Sequence, residues 1–249
     1  MPDRVASPIQ EVCVNPIRVD ATNSSDFSAD GLVVRNPHGI LVSLGYADVT
    51  GISARLPTLH HGGVQTAATG VIQDPAGSAI GSGEKPSGGG AAGAIYARFP
   101  DLLPIDTIAP RSAIFNRSTG PGRRVLHTHS PALSGDPSHA EQRNSALGDL
   151  ANSYYNAVVA VDRRAGVLGD RGELLNLVPV SASIYARAFA NRKYRSPHLD
   201  PSYTLTAIMV AVGELLKRSE PIMELTLYVF SPDTYQETVN VATRLKSAT

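Results

Sequence analysis

Gly81-Ser-Gly-Glu-Lys-Pro-Ser-Gly-Gly-Gly-Ala-Ala-Gly-Ala-Ile-Tyr96 is the one place in this 249-residue chain where a glycine cluster runs straight into an apolar helix start. Residues without Cβ atoms let backbone N–H groups converge on a ligand, and a following helix N-terminus adds partial positive charge. Together they predict a seat for a phosphate or diphosphate. Glycine-rich runs also serve as flexible linkers, so the surrounding chain has to decide between the two. The cluster has neither the Gly-Lys-Ser/Thr ending of a P-loop nor the Gly-x-Gly-x-x-Gly spacing of a dinucleotide fold directly after a strand.

Composition narrows the function classes. Lys plus Arg and Asp plus Glu each number 22, so bulk electrostatics point neither to nucleic acid nor to an anionic membrane, and any anionic ligand must be held locally. The single cysteine, Cys13, rules out an intramolecular disulfide framework and a multi-thiolate zinc site. The N-terminal residues lack a basic region followed by an apolar one, and no apolar run reaches membrane-spanning length. The expectation is a protein of the cytoplasm, or one delivered without a cleavable signal peptide, and not a membrane protein.

Outward from the glycine stretch, strands and helices alternate. Residues 1–30 carry little periodicity and are expected to form a partly irregular arm, with residues 31–249 a single domain. Gly39–Gly45 reads as a strand leading to Asp48, and Val71–Gln73 as a buried strand stopped by Asp74-Pro75. Ala91–Phe99 reads as a short helix, Ser112–Phe115 and Arg124–Thr128 as two strands, and the stretch after Asp136 as a long amphipathic helix with a Ser138/Glu141 capping box. Leu174–Val180 reads as a strand entering the small-residue loop Ser181–Tyr185. A helix after Asp200, a strand over Leu225–Phe230 and a last helix after Ser231 follow. This predicts a three-layer α/β/α fold, a mixed and mostly parallel sheet flanked by helices, with ligands at the C-terminal strand ends. His60 and His61 are read as exposed loop residues, and His127, His129, Asp136 and His139 as strand and cap positions, so neither a metal nor a cofactor is expected.

Four segments together resemble a macro domain, the α/β module that binds ADP-ribose. Gly88–Tyr96 is similar to the family's diphosphate loop and the helix it opens. Ser112–Pro131 resembles the strand pair ending in an Ile-His-Thr-Val-Gly-Pro-like motif. Pro179–Tyr185 resembles the second phosphate loop, and Leu225–Phe230 the last strand. The resemblance implies that Asp48 accepts a hydrogen bond from the adenine amine. It implies that Gly88, Gly89, Gly90 and Ala91 hold the diphosphate, that Ser181, Ala182, Ser183 and Ile184 close over it, and that Tyr185 lies against the distal ribose.

The departures bear on mechanism. Where the hydrolase branch of the family ends its second strand in Asn-Ala-Ala-Asn, this chain has Gln73-Asp-Pro-Ala76, and an aspartate frequent after the glycine triplet is replaced by Ala92. The usual catalytic pair is therefore missing. Asp74 and Glu84 are the acids available to act as base or charge stabiliser in cleaving the distal glycosidic bond. The preferred expectation is hydrolysis of ADP-ribose from a modified protein; the alternative is a non-catalytic ADP-ribose reader. The expected partner in either case is ADP-ribose or an ADP-ribosylated protein.

Overall fold

A computed structural model describes residues 12–13, 26–28, 31–33, 56–80, 88–168, 174–182, 185–186, 189, 198–216 and 224–247. Its strands are β1 (Val12–Cys13), β2 (Asp26–Ser28), β3 (Gly31–Val33), β4 (Thr58–His61), β5 (Val71–Ala76), β6 (Ser112–Phe115), β7 (Val125–His129), β8 (Leu175–Leu177) and β9 (Leu225–Val229). The helices are α1 (Gly90–Arg98), α2 (Ala140–Leu168), α3 (Pro201–Leu216) and α4 (Pro232–Ser247). Seven strands form one sheet in the order β1-β6-β7-β5-β8-β9-β4, while β2 and β3 pair with each other as a hairpin. From β7 to β4 all pairings are parallel, and β6 and β1 add antiparallel pairings at the far edge. β1 thus places Val12 and Cys13, from the stretch read as an arm, on the edge of the main sheet.

Helices cover both faces, which accounts for the layering. In α2 the residues Leu147, Leu150, Ala151, Tyr154, Val158 and Val161 repeat at helical spacing and are all buried against the sheet and α3. Helix α3 is buried nearly all round, from Leu205 to Val212, because α2 and α4 flank it. The other face is thinner: Ile95 of α1 and Phe99 just after it pack with Val64, Ile72 and Val125. Among the described residues no helix is long and apolar enough to cross a membrane.

Three local expectations need correction. β5 does not stop at Gln73 but runs through Pro75 to Ala76. Val71 N donates to Leu174 O on the β8 side and Ala76 O accepts from Ser130 N on the β7 side, so the odd-numbered residues of β5 address β8 and the even-numbered ones β7. Pairing with β8 ends at Ile72 opposite Asn176. The N–H that Pro75 lacks would therefore meet no strand partner, and proline is tolerated in a central strand. Second, His60 and His61 lie on the edge strand β4 rather than in a loop; both are exposed, and their rings lie against Tyr228 at 4.5 Å and Tyr235 at 5.3 Å. Third, the start of α2 is held by Asp136 and Gln142 instead of the Ser138/Glu141 pair: Asp136 Oδ1 accepts from Ser138 N at 2.8 Å, and Gln142 Oε1 accepts from Asp136 N. The expected strand over Gly39–Gly45 lies outside the described residues.

Candidate functional site

The two central strands β5 and β7 carry the polar groups Gln73, Asp74, His127 and Thr128, each with no exposed surface. Strands buried on both faces ordinarily carry apolar runs, and an unpaired buried polar group costs on the order of 1–3 kcal/mol. Asp74 and Thr128 sit in the C-terminal halves of their strands, toward the end at which parallel α/β sheets bind ligands, and Gln73 and His127 sit at mid-strand beside them.

Asp74 faces the α1 layer together with Ile72 and Ala76, and the parallel register sets it opposite His127. Its Oδ2 accepts two bonds, from His127 Nδ1 at 2.7 Å and from Tyr96 Oη at 2.8 Å. The histidine tautomer follows from Asn116. That amide accepts at Oδ1 from Leu103 N and Ser118 N and donates from Nδ2 to Leu103 O, all within 3.1 Å. Its second Nδ2 hydrogen is left for His127 Nε2 at 2.9 Å. Nε2 is thus the acceptor, and Nδ1 carries the proton given to Asp74. Burial first, and the Asp74 carboxylate second, hold the Tyr96 phenol far above its ordinary range, so it stays a donor. Asp74 Oδ1 is buried and has no hydrogen-bond partner among the described residues.

Tyr96 joins this network to the glycine loop. A Cβ placed on Gly88 would lie 3.1 Å from the Tyr96 ring and 3.2 Å from the Ala92 Cβ, so the loop passes close over the ring and a side chain there would make its neighbours give by a few tenths of an ångström. Gly90 has φ +57°, a left-handed conformation that glycine adopts without steric cost, and it begins α1. At Gly89 and Gly90 a Cβ would meet nothing within 4 Å among the described residues. The N-cap of α1 is Gly89, which makes no side-chain cap bond, and among the described residues the first turn holds no acidic residue. The N–H groups of that turn are left to attract an anion.

The second loop reaches the same strand end. Tyr185 Oη lies 3.0 Å from where a Cβ of Gly77 would be, just past β5. Ser181 holds φ +56°, uncommon for a residue with a side chain, and its Oγ donates to Pro131 O at 2.5 Å. Leu133 N donates to Tyr185 O and Leu199 N to Ala182 O, which pins the loop from two sides. Beneath it, Tyr154 Oη accepts from Val180 N at 2.9 Å and donates to Val178 O at 3.0 Å.

Of the residues singled out from sequence, Gly88, Gly89, Gly90, Ala91, Asp74, Ser181, Ala182 and Tyr185 are thus gathered around the end of β5. Asp48, Glu84, Ser183 and Ile184 lie outside the described residues. Asp74 is not the accessible strand-end acid read from sequence; it is enclosed within the sheet because the strand continues past it. Sequence reading passed over Tyr96, Asn116 and Phe230. The last is 78% exposed directly after β9, and its signal was a large aromatic ending a strand at the ligand side of the sheet.

No family model matches the chain, and no curated protein matches it. Solved structures do. A mutant of the Oceanobacillus iheyensis macrodomain is 16% identical, with a TM-score of 0.52 over 77% of this chain and 93% of that one. A second mutant of that protein is 15% identical, with a TM-score of 0.50 over 77% and 89%. The Trypanosoma brucei macrodomain in complex with ADP-ribose is 16% identical, with a TM-score of 0.50 over 75% and 69%. At these identities the likeness is one of architecture, and the architecture of this chain is the macrodomain fold.

Proposed function

We propose that this chain binds ADP-ribose, free or carried on a modified protein. The observation that carries the reading is the convergence of two loops on the end of β5: an uncapped helix N-terminus opened by Gly88–Gly90, and the strained turn at Ser181 leading to Tyr185. Backbone donors of Gly88, Gly89, Gly90 and Ala91 would hold the diphosphate, which suits a chain with no net charge to attract anions globally. Ser181, Ala182, Ser183 and Ile184 would close over it, and Tyr185 would meet the distal ribose. Asp48 would take the adenine amine, and exposed Phe230 offers a stacking face for the base. The Trypanosoma brucei neighbour in complex with ADP-ribose supports the choice of ligand. Calorimetry with ADP-ribose, ATP and NAD tests it: ADP-ribose should bind more tightly than both others, and equal or weaker binding would remove the reading.

A second reading, hydrolysis of the bond at the distal ribose, is favoured by one observation, the unpartnered Oδ1 of Asp74. That carboxylate oxygen keeps an unused lone pair, though buried, and in this reading Asp74 with Glu84 would supply base and charge stabilisation. Its burial argues for the binding module as the primary function, since the acid has no exposed surface. Substrates ADP-ribosylated on acidic, serine, arginine or threonine side chains decide the matter. Release of ADP-ribose that is lost in Asp74→Ala or Glu84→Ala supports hydrolysis; release from none of them leaves a reader.

A further inference from the structure

We infer that Asn116, His127, Asp74 and Tyr96 form a positioning relay that sets the glycine loop from beneath, and that Tyr96 controls affinity for diphosphate ligands without touching them. The inference deepens the ADP-ribose reading and rests on it. Four groups from four parts of the chain are connected, and their donors converge on Asp74. Asn116, anchored to Leu103 and Ser118, donates to His127 Nε2; His127 Nδ1 donates to Asp74 Oδ2; Tyr96 Oη donates to the same oxygen. The backbone partners of Asn116 orient its amide and so assign the His127 tautomer, and Tyr96 Oη is the donor because the Asp74 carboxylate only accepts.

Its output is mechanical. Tyr96 lies in the second turn of α1, and its ring lies where a Cβ on Gly88 would find it at 3.1 Å. Ring and loop are therefore close neighbours, and the ring is tethered at its far end to a buried carboxylate in the central strand. Beyond the ring, Gly89 and Gly90 meet nothing within 4 Å of their own Cβ positions. The Tyr96 ring, together with the Ala92 Cβ at 3.2 Å from the same position, is thus what Gly88 rests on. Two such donors to a buried carboxylate are charge-assisted bonds, stronger than neutral ones and geometrically specific. They also tie the strand order to the site, because Asp74 and His127 meet only through the parallel register of β5 and β7.

Tyr96→Phe removes the tether and keeps the ring. The expected result is about a tenfold rise in Kd for ADP-ribose and for ADP, with adenosine binding unchanged, since only the first two carry a diphosphate. Amide resonances of Gly88, Gly89 and Gly90 should shift in the ligand-free variant, and nitrogen shifts of His127 in the parent protein should show the proton on Nδ1. Measurements are made well below the melting temperature of the variant, so that a purely structural role, which lowers stability alone, leaves Kd unmoved. Kd values within twofold of the parent together with unmoved glycine amides would overturn the relay. A parent protein that binds no ADP-ribose would instead overturn the ligand reading, and the ligand-free amide shifts would then decide the relay separately.

Discussion

Gly93→Ala separates the glycine loop's binding role from its contribution to folding. Gly93 lies in the first turn of α1, where its N–H donates to Gly89 O at 3.2 Å, and its backbone is one that alanine adopts freely. By helix propensity alone the change stabilises by about 1 kcal/mol. The added Cβ, however, would stand 2.5 Å from the carbonyl oxygen of Gly88, where ordinary contact begins at 3.4 Å. The loop must therefore retreat by roughly 0.9 Å from the helix, and it is the segment proposed to hold the diphosphate. One backbone bond to a charged phosphate lost through that retreat is worth about 1.5–3 kcal/mol, or roughly 10- to 100-fold in Kd. Strain and propensity oppose each other in stability, so the melting temperature should move by no more than about 5 °C. The assay is calorimetric titration with ADP-ribose beside a thermal unfolding curve. Parent-like affinity in a folded Gly93→Ala protein would refute the assignment of the loop to the diphosphate.

Further outcomes follow from other parts of the site. Phe230→Ala should weaken ADP-ribose binding by about tenfold through lost stacking, with little change in melting temperature because the ring is 78% exposed; ribose 5-phosphate, which has no base, should bind both proteins equally. Tyr154→Phe leaves Val180 N–H and Val178 C=O buried without their shared hydroxyl, which should cost about 2–4 kcal/mol in urea unfolding; a loss under about 1 kcal/mol would mean that the two groups find other partners. His129 is held below its ordinary value of 6.5, chiefly by burial and against the pull of Asp149. The unfolded chain then binds a proton that the folded one does not, so this contribution is complete above pH 6.5 and is lost as pH falls from there toward the lowered value. Urea midpoints of His129→Gln should accordingly fall less between pH 7.5 and pH 5.5 than those of the parent.

Much of the fold was legible because its elements announce themselves locally. The 3.6-residue repeat through Leu147, Leu150, Tyr154 and Val158, the apolar runs of β6 and β9, and the glycines before α1 each encode their element within a dozen residues. The candidate binding loops were legible for the same reason, since glycines entering a helix and small residues leaving a strand are local signals. Asp74 was misplaced because the usual meaning of Pro75 as a strand terminator depends on a neighbour. It holds where a partner strand needs the missing N–H, and β8 is paired only as far as Ile72.

The sequence by itself determined that a glycine cluster opens a helix in an alternating α/β chain, which made it the candidate phosphate seat, because those properties follow from residue type and spacing. Tertiary structure alone decided what lies under the seat. Asp74 and His127 are 53 positions apart and Tyr96 is 22 from Asp74, so no local pattern relates them. Parallel pairing of β5 with β7 and the packing of α1 on that face bring the three side chains within hydrogen-bond reach. A buried network is a property of register and layer order, and both arise from where the apolar faces of distant segments find cover.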